Sequence, residues 1–226
     1  MNPVVMITGA AGALGRAVAQ RFAADGAQLV LLDRDEQVLA GLFPGAALVL
    51  APDITDEASV GAAVARALER LGRIDVLVHV AGGFEMGETV ATLSRASWQR
   101  MMDLNAWSFV ALAHAVVPAM QRQRGGVVVA VSAAAAGAGQ GLKGAYIASK
   151  SALQRLVETL AQEVAADGLR VLSVAPTTLD TPANRAAMPD ADRSAWVSTE
   201  QAAETIAFAA SPAGGALGGP HLRLGR

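Results

Sequence analysis

The sequence predicts an α/β fold, with one doubly wound, mainly parallel sheet between two layers of helices in a single domain spanning residues 1–226. Three observations carry this prediction. Short apolar runs at 4–8, 29–32, 47–50, 74–80, 127–131 and 170–175 have the continuous hydrophobicity of strands buried on both faces. Segments with helical spacing alternate with them, the order that builds a parallel sheet with right-handed crossovers. The 226 residues, 53% hydrophobic and 17% charged, are enough for one large core.

The composition narrows the function classes. A formal net charge of -2 with scattered Lys and Arg gives no basic footprint, which argues against a nucleic-acid partner. The lack of cysteine removes disulfides, thiolate metal sites and a Cys nucleophile, and suits a reducing compartment. His79, His114 and His221 share no ligand spacing, so no metal site is expected. The opening MNPVVMITGA has neither the charged region nor the cleavage site of a signal peptide, and no apolar run reaches membrane-spanning length. The expectation is a cytoplasmic chain without a membrane partner.

Taken in order, the first strand runs straight into Gly9-Ala-Ala-Gly12-Ala13-Leu14-Gly15, and a helix follows to about Gly26. Strand, glycine turn and helix is the context in which a pyrophosphate rests on the amides of a helix N-terminus. The second strand ends at Asp33, 18 residues past Gly15, near where a carboxylate would hold the ribose hydroxyls of NAD. Arg34 beside it is the competing signal, a cation suited to the 2′-phosphate of NADP. After the third strand, Asp53-Ile54-Thr-Asp-Glu opens a helix, and Asp53 is either an adenine contact or a turn residue. The fourth strand exits through Ala81-Gly82-Gly83, small enough for a cofactor to approach. A long helix is predicted over 97–122, bent near Pro118, with Asn105 as a polar residue among apolar neighbours.

Beyond the fifth strand, Ser132 and a run of alanines lead to a Gly-rich loop and then to Tyr146-Ile-Ala-Ser-Lys150. Tyr and Lys four apart in a helix share one face, where an ammonium would stabilise a phenolate and make the phenol usable as acid and base. The sixth strand ends at Pro176, and 177–192 reads as an irregular polar lid. Ser198 and Gln201 form a capping box for a last helix to about Ala210. A loop over 214–219 precedes a short edge strand near 221–224.

Together these residues resemble the short-chain dehydrogenase/reductase family over nearly the whole chain. The resemblance rests on Thr8 with the Gly9–Gly15 turn, Asp33, Asp53-Ile54, Ala81-Gly82, Asn105, Ser132, Tyr146 with Lys150, and Pro176 followed by Thr181. It implies a Rossmann-type fold, an NAD cofactor with NADP as the alternative, and a hydride-transfer site. Tyr146 would be the acid/base, Lys150 would hold the nicotinamide ribose, Asn105 would seat a relay water, and Leu179 and Thr181 would meet the carboxamide. It also implies a homodimer or homotetramer built on the helices of Asn105 and Lys150.

There are departures from the family pattern. The family's Ser stands 13 residues before the Tyr, which here is Ala133, with Ser132 one step earlier as the catalytic hydroxyl candidate, turned to the other face of an extended segment unless the loop shifts. Val80 replaces the Asn that usually precedes Ala-Gly, and Thr177 the Gly after Pro. With the stretch from Thr178 to Trp196, these features resemble the dihydropteridine reductase branch, which reduces a quinonoid dihydropterin with NADH. The expected substrate is therefore a small carbonyl, imine or pterin-like compound. A non-catalytic NAD(H)-binding regulator is the reading from another class.

Overall fold

The structure is a computed structural model and describes residues 2–225. Its main sheet has seven parallel strands in the order β3-β2-β1-β4-β5-β6-β9. These are β1 (Val4–Thr8), β2 (Gln28–Leu32), β3 (Leu48–Leu50), β4 (Val76–His79), β5 (Gly126–Val131), β6 (Leu169–Pro176) and β9 (His221–Leu224). The order reverses beside β1, which opens a crevice at the carboxyl ends of β1 and β4 where open α/β sheets bind ligands.

Strand alternation sorts the core into two layers. Val5 and Ile7 face α1 (Ala13–Ala24) and α8 (Thr199–Ala210), packing with Val18, Phe22 and Ile206. Val4 and Met6 face the other layer, meeting α3 (Glu57–Leu71), α5 (Ser108–Gln123) and α6 (Gly144–Glu163) through Val64, Leu112, Val116, Leu153 and Val157. Each fully buried aliphatic side chain is worth about 1.5–3 kcal/mol, so the two layers hold the strand ends rigidly. Ser198 caps α8 through the expected box with Gln201.

Three expectations need correction. The helix predicted over 97–122 comprises α4 (Arg95–Met102), a π-helical segment Asp103–Trp107 and α5. Pro118 lies inside α5, so the break falls at the π turn, where the Ser108 amide donates to the Asp103 carbonyl. Inserting one residue per turn this way is a usual device for presenting a side chain. The predicted polar lid is partly regular: β7 (Leu179–Asp180) pairs in parallel with β8 (Val197–Ser198), and Thr181 caps α7 (Pro182–Ala187). The loop expected over 214–219 begins as a 3-10 turn, Pro212–Ala216, and the edge strand β9 then joins the main sheet as its seventh member. α2 (Glu36–Leu42), capped by Asp35, completes the helices.

Candidate active site

A cleft of about 1560 Å³ opens at the carboxyl ends of the strands. Its wall includes Gly9, Gly12, Ala13, Leu14 and Gly15 after β1. Asp33 and Arg34 after β2, Asp53 and Ile54 after β3, and Ala81 and Gly82 after β4 also line it, as do Leu179 and Thr181 beyond β6. Two glycines are required by close approach. A Cβ on Gly9, whose φ is +67°, would lie 2.8 Å from the Ala81 amide, and one on Gly15 would lie 2.0 Å from the Gly9 carbonyl oxygen. Gly12 caps α1 with no side-chain bond to the first turn, so that turn presents its amide donors to the cleft. A dinucleotide fits this wall: a backbone cradle for the pyrophosphate and, one strand over, a carboxylate for the ribose.

Asp33 Oδ2 accepts from the Ala11 amide and Oδ1 from the Arg34 amide, both at 2.8 Å, so the carboxylate is tied to the glycine turn. Arg16, which the sequence reading passed over, also lines the cleft and donates through Nε to the Ala11 carbonyl at 2.7 Å. Asp53 accepts from the Thr55 hydroxyl at 2.7 Å and the Thr55 amide at 2.9 Å. Those bonds hold its carboxyl below the usual range, and Arg34 adds to the effect. Asp53 is thus a turn residue that also lines the cleft.

Tyr146 and Lys150 lie one turn apart near the start of α6. Lys150 is buried, and its Nζ donates to the Val131 carbonyl at 2.9 Å. A Cβ on Gly82 would come within 3.1 Å of that Nζ and 2.6 Å of Asn105 Oδ1, which places both groups directly behind the Gly82 wall. Burial pushes the Lys150 ammonium down to about 8. Burial also pushes the Tyr146 phenol up, the opposite of the shift expected from its neighbour. Desolvation is the cause: the half-buried phenol ring is packed edge-on against Phe84, ring centroids 4.8 Å apart, and burial disfavours the phenolate.

The Asn105 side chain is fully committed. Oδ1 accepts from the Gly83 amide at 2.9 Å, while Nδ2 donates to the Gly83 carbonyl at 3.0 Å and to Ser149 Oγ at 3.0 Å. Ser149 donates in turn to the Tyr146 carbonyl at 2.8 Å. Asn105 therefore clamps the β4 exit to the first turn of α6. Ser132 is buried with its hydroxyl 3.5 Å from the Lys150 carbonyl, facing α6, whereas the preceding Val131 lines the cleft. Pro176 ends β6 and is not among the lining residues.

His79 is buried at the end of β4 and organises a chain of hydrogen bonds. Ser108 spends its proton on the Leu104 carbonyl at 2.8 Å, so it must accept from His79 Nε2–H at 3.1 Å. Nδ1 then accepts from the Thr8 hydroxyl at 2.9 Å, and Thr8 accepts from the Ala81 amide at 3.2 Å. Burial, with the Lys150 charge nearby, pushes the imidazole down to about 3. One neutral tautomer thus links the glycine turn, the β4 exit and the π turn. The sequence signal was a lone polar residue ending an apolar strand.

Among the described residues no group of His, Asp and Glu could hold a metal ion, and no helix is long and apolar enough to cross a membrane.

Comparison with known proteins agrees with this geometry. Residues 3–192 match the short chain dehydrogenase family. The chain is 33% identical to the short-chain reductase protein NovJ of Streptomyces niveus, over 98% of this chain and 92% of that protein. The crystal structure of gox2181 superposes with a TM-score of 0.92 at 26% identity, covering 99% of this chain and 94% of the other. A 3-ketoacyl-(acyl-carrier-protein) reductase from Brucella melitensis, complexed with NADH, superposes with a TM-score of 0.89 at 27% identity, covering 99% and 96%. With a glycine-built dinucleotide cleft, Lys150 behind its Gly82 wall and relatives named as reductases, the chain belongs to the short-chain dehydrogenase/reductase family of NAD(P)-dependent oxidoreductases.

Proposed function

We propose that this oxidoreductase moves hydride between NAD(H) and a small carbonyl, imine or pterin-like substrate, with Tyr146 as the acid/base. The observation that supports it most is Lys150 directly behind Gly82 on the dinucleotide cleft, with Tyr146 one helical turn before it on α6. The bound nicotinamide supplies or accepts the hydride. Tyr146 delivers or removes the proton at the substrate heteroatom, and its raised pKa keeps it protonated as a donor at neutral pH. Lys150, anchored on Val131, places a positive charge near the phenolate that forms in reduction. Asn105 and Ser149 keep the wall and the first turn of α6 in register.

NAD is the proposed cofactor because the Asp33 carboxylate, tied to the glycine turn, stands where the adenosine ribose of a dinucleotide on that turn would sit and would repel a 2′-phosphate. Arg34 and Arg16 are the two cations that work against this preference. The decisive assay follows NADH absorbance with quinonoid dihydropterin and with panels of ketones, aldehydes and imines. Turnover of any class supports the reading, and failure with every class removes it.

The second reading is a dihydropteridine reductase proper. What favours it is the missing hydroxyl: Ala133 holds the usual Ser position and Ser132 faces α6. Reducing a conjugated ring imine develops less localised negative charge than reducing a ketone, so the loss of one donor costs less there. A ratio favouring dihydropterin over ketones in the same assay supports it. A non-catalytic NAD(H)-binding regulator finds no support among relatives named for turnover.

As partner, a second copy of the chain is proposed on the face of α4, α5 and α6. A groove of about 760 Å³ lies there between Met102, Ala106, Trp107 and Val110 on one side and Ala152 and Leu156 on the other, with Trp107 42% exposed. Trp107→Glu should yield monomers in sedimentation velocity, and an unchanged mass would exclude this face.

A further inference from the structure

Ten large apolar side chains are exposed among the described residues, and four of them lie on two segments that meet beside Tyr146. Phe84 and Met86 are each 56% exposed, Val90 is 82% exposed and Leu142 is 45% exposed. The segment after β4 carries the first three, and the loop before α6 carries the fourth. The two are stitched together by the backbone: the Gly87 amide donates to the Leu142 carbonyl at 2.8 Å, and Glu88 forms a parallel β-bridge with Lys143. A Cβ on Gly144 would lie 3.4 Å from Val90 Cγ2, so Val90 also reaches the start of α6. Phe84 closes the arrangement by packing edge-on against the Tyr146 ring.

Leu142 is the residue that packing does not explain. Its φ is +64°, in the left-handed region that L side chains adopt at a cost and glycine adopts freely. Nearly half its surface remains in water. A strained backbone carrying an exposed leucine gains little from the fold itself, and such strain concentrates at functional sites.

We propose that Phe84, Met86, Val90 and Leu142 form the substrate subsite beside Tyr146 and that it takes an uncharged aromatic or alicyclic ring rather than a polyol chain. This rests on the hydride-transfer reading above and names its substrate class. None of the four side chains offers a strong hydrogen-bond donor or acceptor. A polyol laid on them would lose water from hydroxyls that find no partner, whereas a ring gains apolar contact, an edge or face against Phe84 and a sulfur contact at Met86. The charges at the rim are already engaged: Lys143 Nζ lies 6.0 Å from the Phe84 ring centroid and donates to Gln140 at 2.9 Å, while Glu85 pairs with Arg100.

The test is equilibrium binding of acetophenone, cyclohexanone and fructose to the full chain with excess NAD⁺, read by ligand-observed NMR. Both ring ketones should bind and fructose should not. Phe84→Ala and Leu142→Gly should each weaken ring binding about tenfold, the scale for removing an apolar contact in a pocket. Leu142→Gly should melt no lower than the unmodified protein, because glycine relieves the strain. Tyr146→Phe should retain ring binding while losing turnover. Ring binding that responds to both subsite variants, in a protein that reduces nothing, would leave this subsite standing and remove the catalytic reading. Fructose binding as tight as the ketones, or ring binding unaffected in both variants, overturns the subsite. A changed oligomeric mass in Leu142→Gly also overturns it, since the patch would then be a contact between subunits.

Discussion

The cleft wall built after β1 and β2 and the side-chain wall behind Gly82, built around α6, are made in different ways. In the first, backbone meets backbone, Gly9 against the Ala81 amide and Gly15 against the Gly9 carbonyl, and the Asp33 carboxylate is tied to the Ala11 amide. In the second, side chains reach across to distant segments: Asn105 to the Gly83 backbone and Ser149, Lys150 to the Val131 carbonyl, Phe84 to Tyr146. A backbone cradle tolerates few residue types at each position, and any dinucleotide presents it with the same diphosphate. A side-chain wall can be rebuilt one residue at a time. Cofactor recognition is therefore constrained, while substrate recognition is free to vary.

The sharpest separation of the two walls is Tyr146→Phe. It removes the proposed proton donor and leaves the glycine cradle untouched, so kcat should fall by about 10² to 10⁴, the span of general acid/base groups, with NADH affinity unchanged. Steady-state kinetics beside a fluorescence titration of NADH would show it. A rate within a factor of about two of the unmodified enzyme would take the phenol out of the chemistry.

His79 ties the two walls together, and its effect is on stability. The folded imidazole titrates at about 3, against about 6.5 for an exposed one, so the unfolded chain binds more protons between those values. Stability therefore falls as pH drops through that window, by up to about 1.4 kcal/mol per pH unit from this group. Carboxylates such as Asp53 and Asp180, held below their usual range, contribute at lower pH, so urea unfolding at pH 6.5 and pH 5 isolates the histidine. His79→Asn, uncharged throughout, should flatten that slope; a slope unchanged by the substitution would place the acid sensitivity elsewhere.

The contrast between the walls also explains what could be read from sequence. Glycine spacing, strand runs and the Ser198–Gln201 box are local signals, and the structure carries them at the expected positions. The π turn at Asp103–Trp107 has no local signal, and the bonds made beside it reach far along the chain: Ser108 donates to the Leu104 carbonyl while bonded to His79, a residue 29 positions away. The wall of Phe84 and Leu142 was missed for the same reason, since an exposed Phe after two glycines looks like an ordinary loop residue until its partner loop is in place. The raised Tyr146 follows from burial, which no i, i+4 spacing reports. The regular pieces inside 177–198 depend on a pairing of β7 with β8 that only two residues on each strand supply.

On the cofactor wall the next effect in size is at Asp33. With Asp33→Ser the repulsion toward a 2′-phosphate is removed while Arg16 and Arg34 remain, and preference should move toward NADPH by about tenfold in kcat/KM, or about 1.4 kcal/mol. Relative rates with the two reduced cofactors measure it. An unmodified enzyme that already prefers NADPH would contradict the assignment and transfer the discriminating role to the arginines.

The smallest effect is expected where the substrate wall lost a hydroxyl. Val131 lines the cleft, Ser132 faces the Lys150 carbonyl, and Ala133 continues in extended geometry at φ -148° and ψ 143°. Side chains alternate along such a segment, so position 133 returns to the face of Val131, the cleft side. Ala133→Ser should therefore restore a donor near the heteroatom that takes up charge. Removing an oxyanion-hole donor costs about 10² to 10³ in rate, but adding one to a wall that did not evolve around it should recover only about threefold to tenfold. The gain should appear with ketones, whose oxygen develops localised charge, and be absent with quinonoid dihydropterin, whose charge spreads through the ring. Measured as the ratio of kcat/KM for the two substrates, a rise for ketones alone would establish that the missing hydroxyl sets substrate class. An equal rise for both would mean the new hydroxyl only improves packing, and no rise for either would mean that Ser132 turns from α6 to serve in its place.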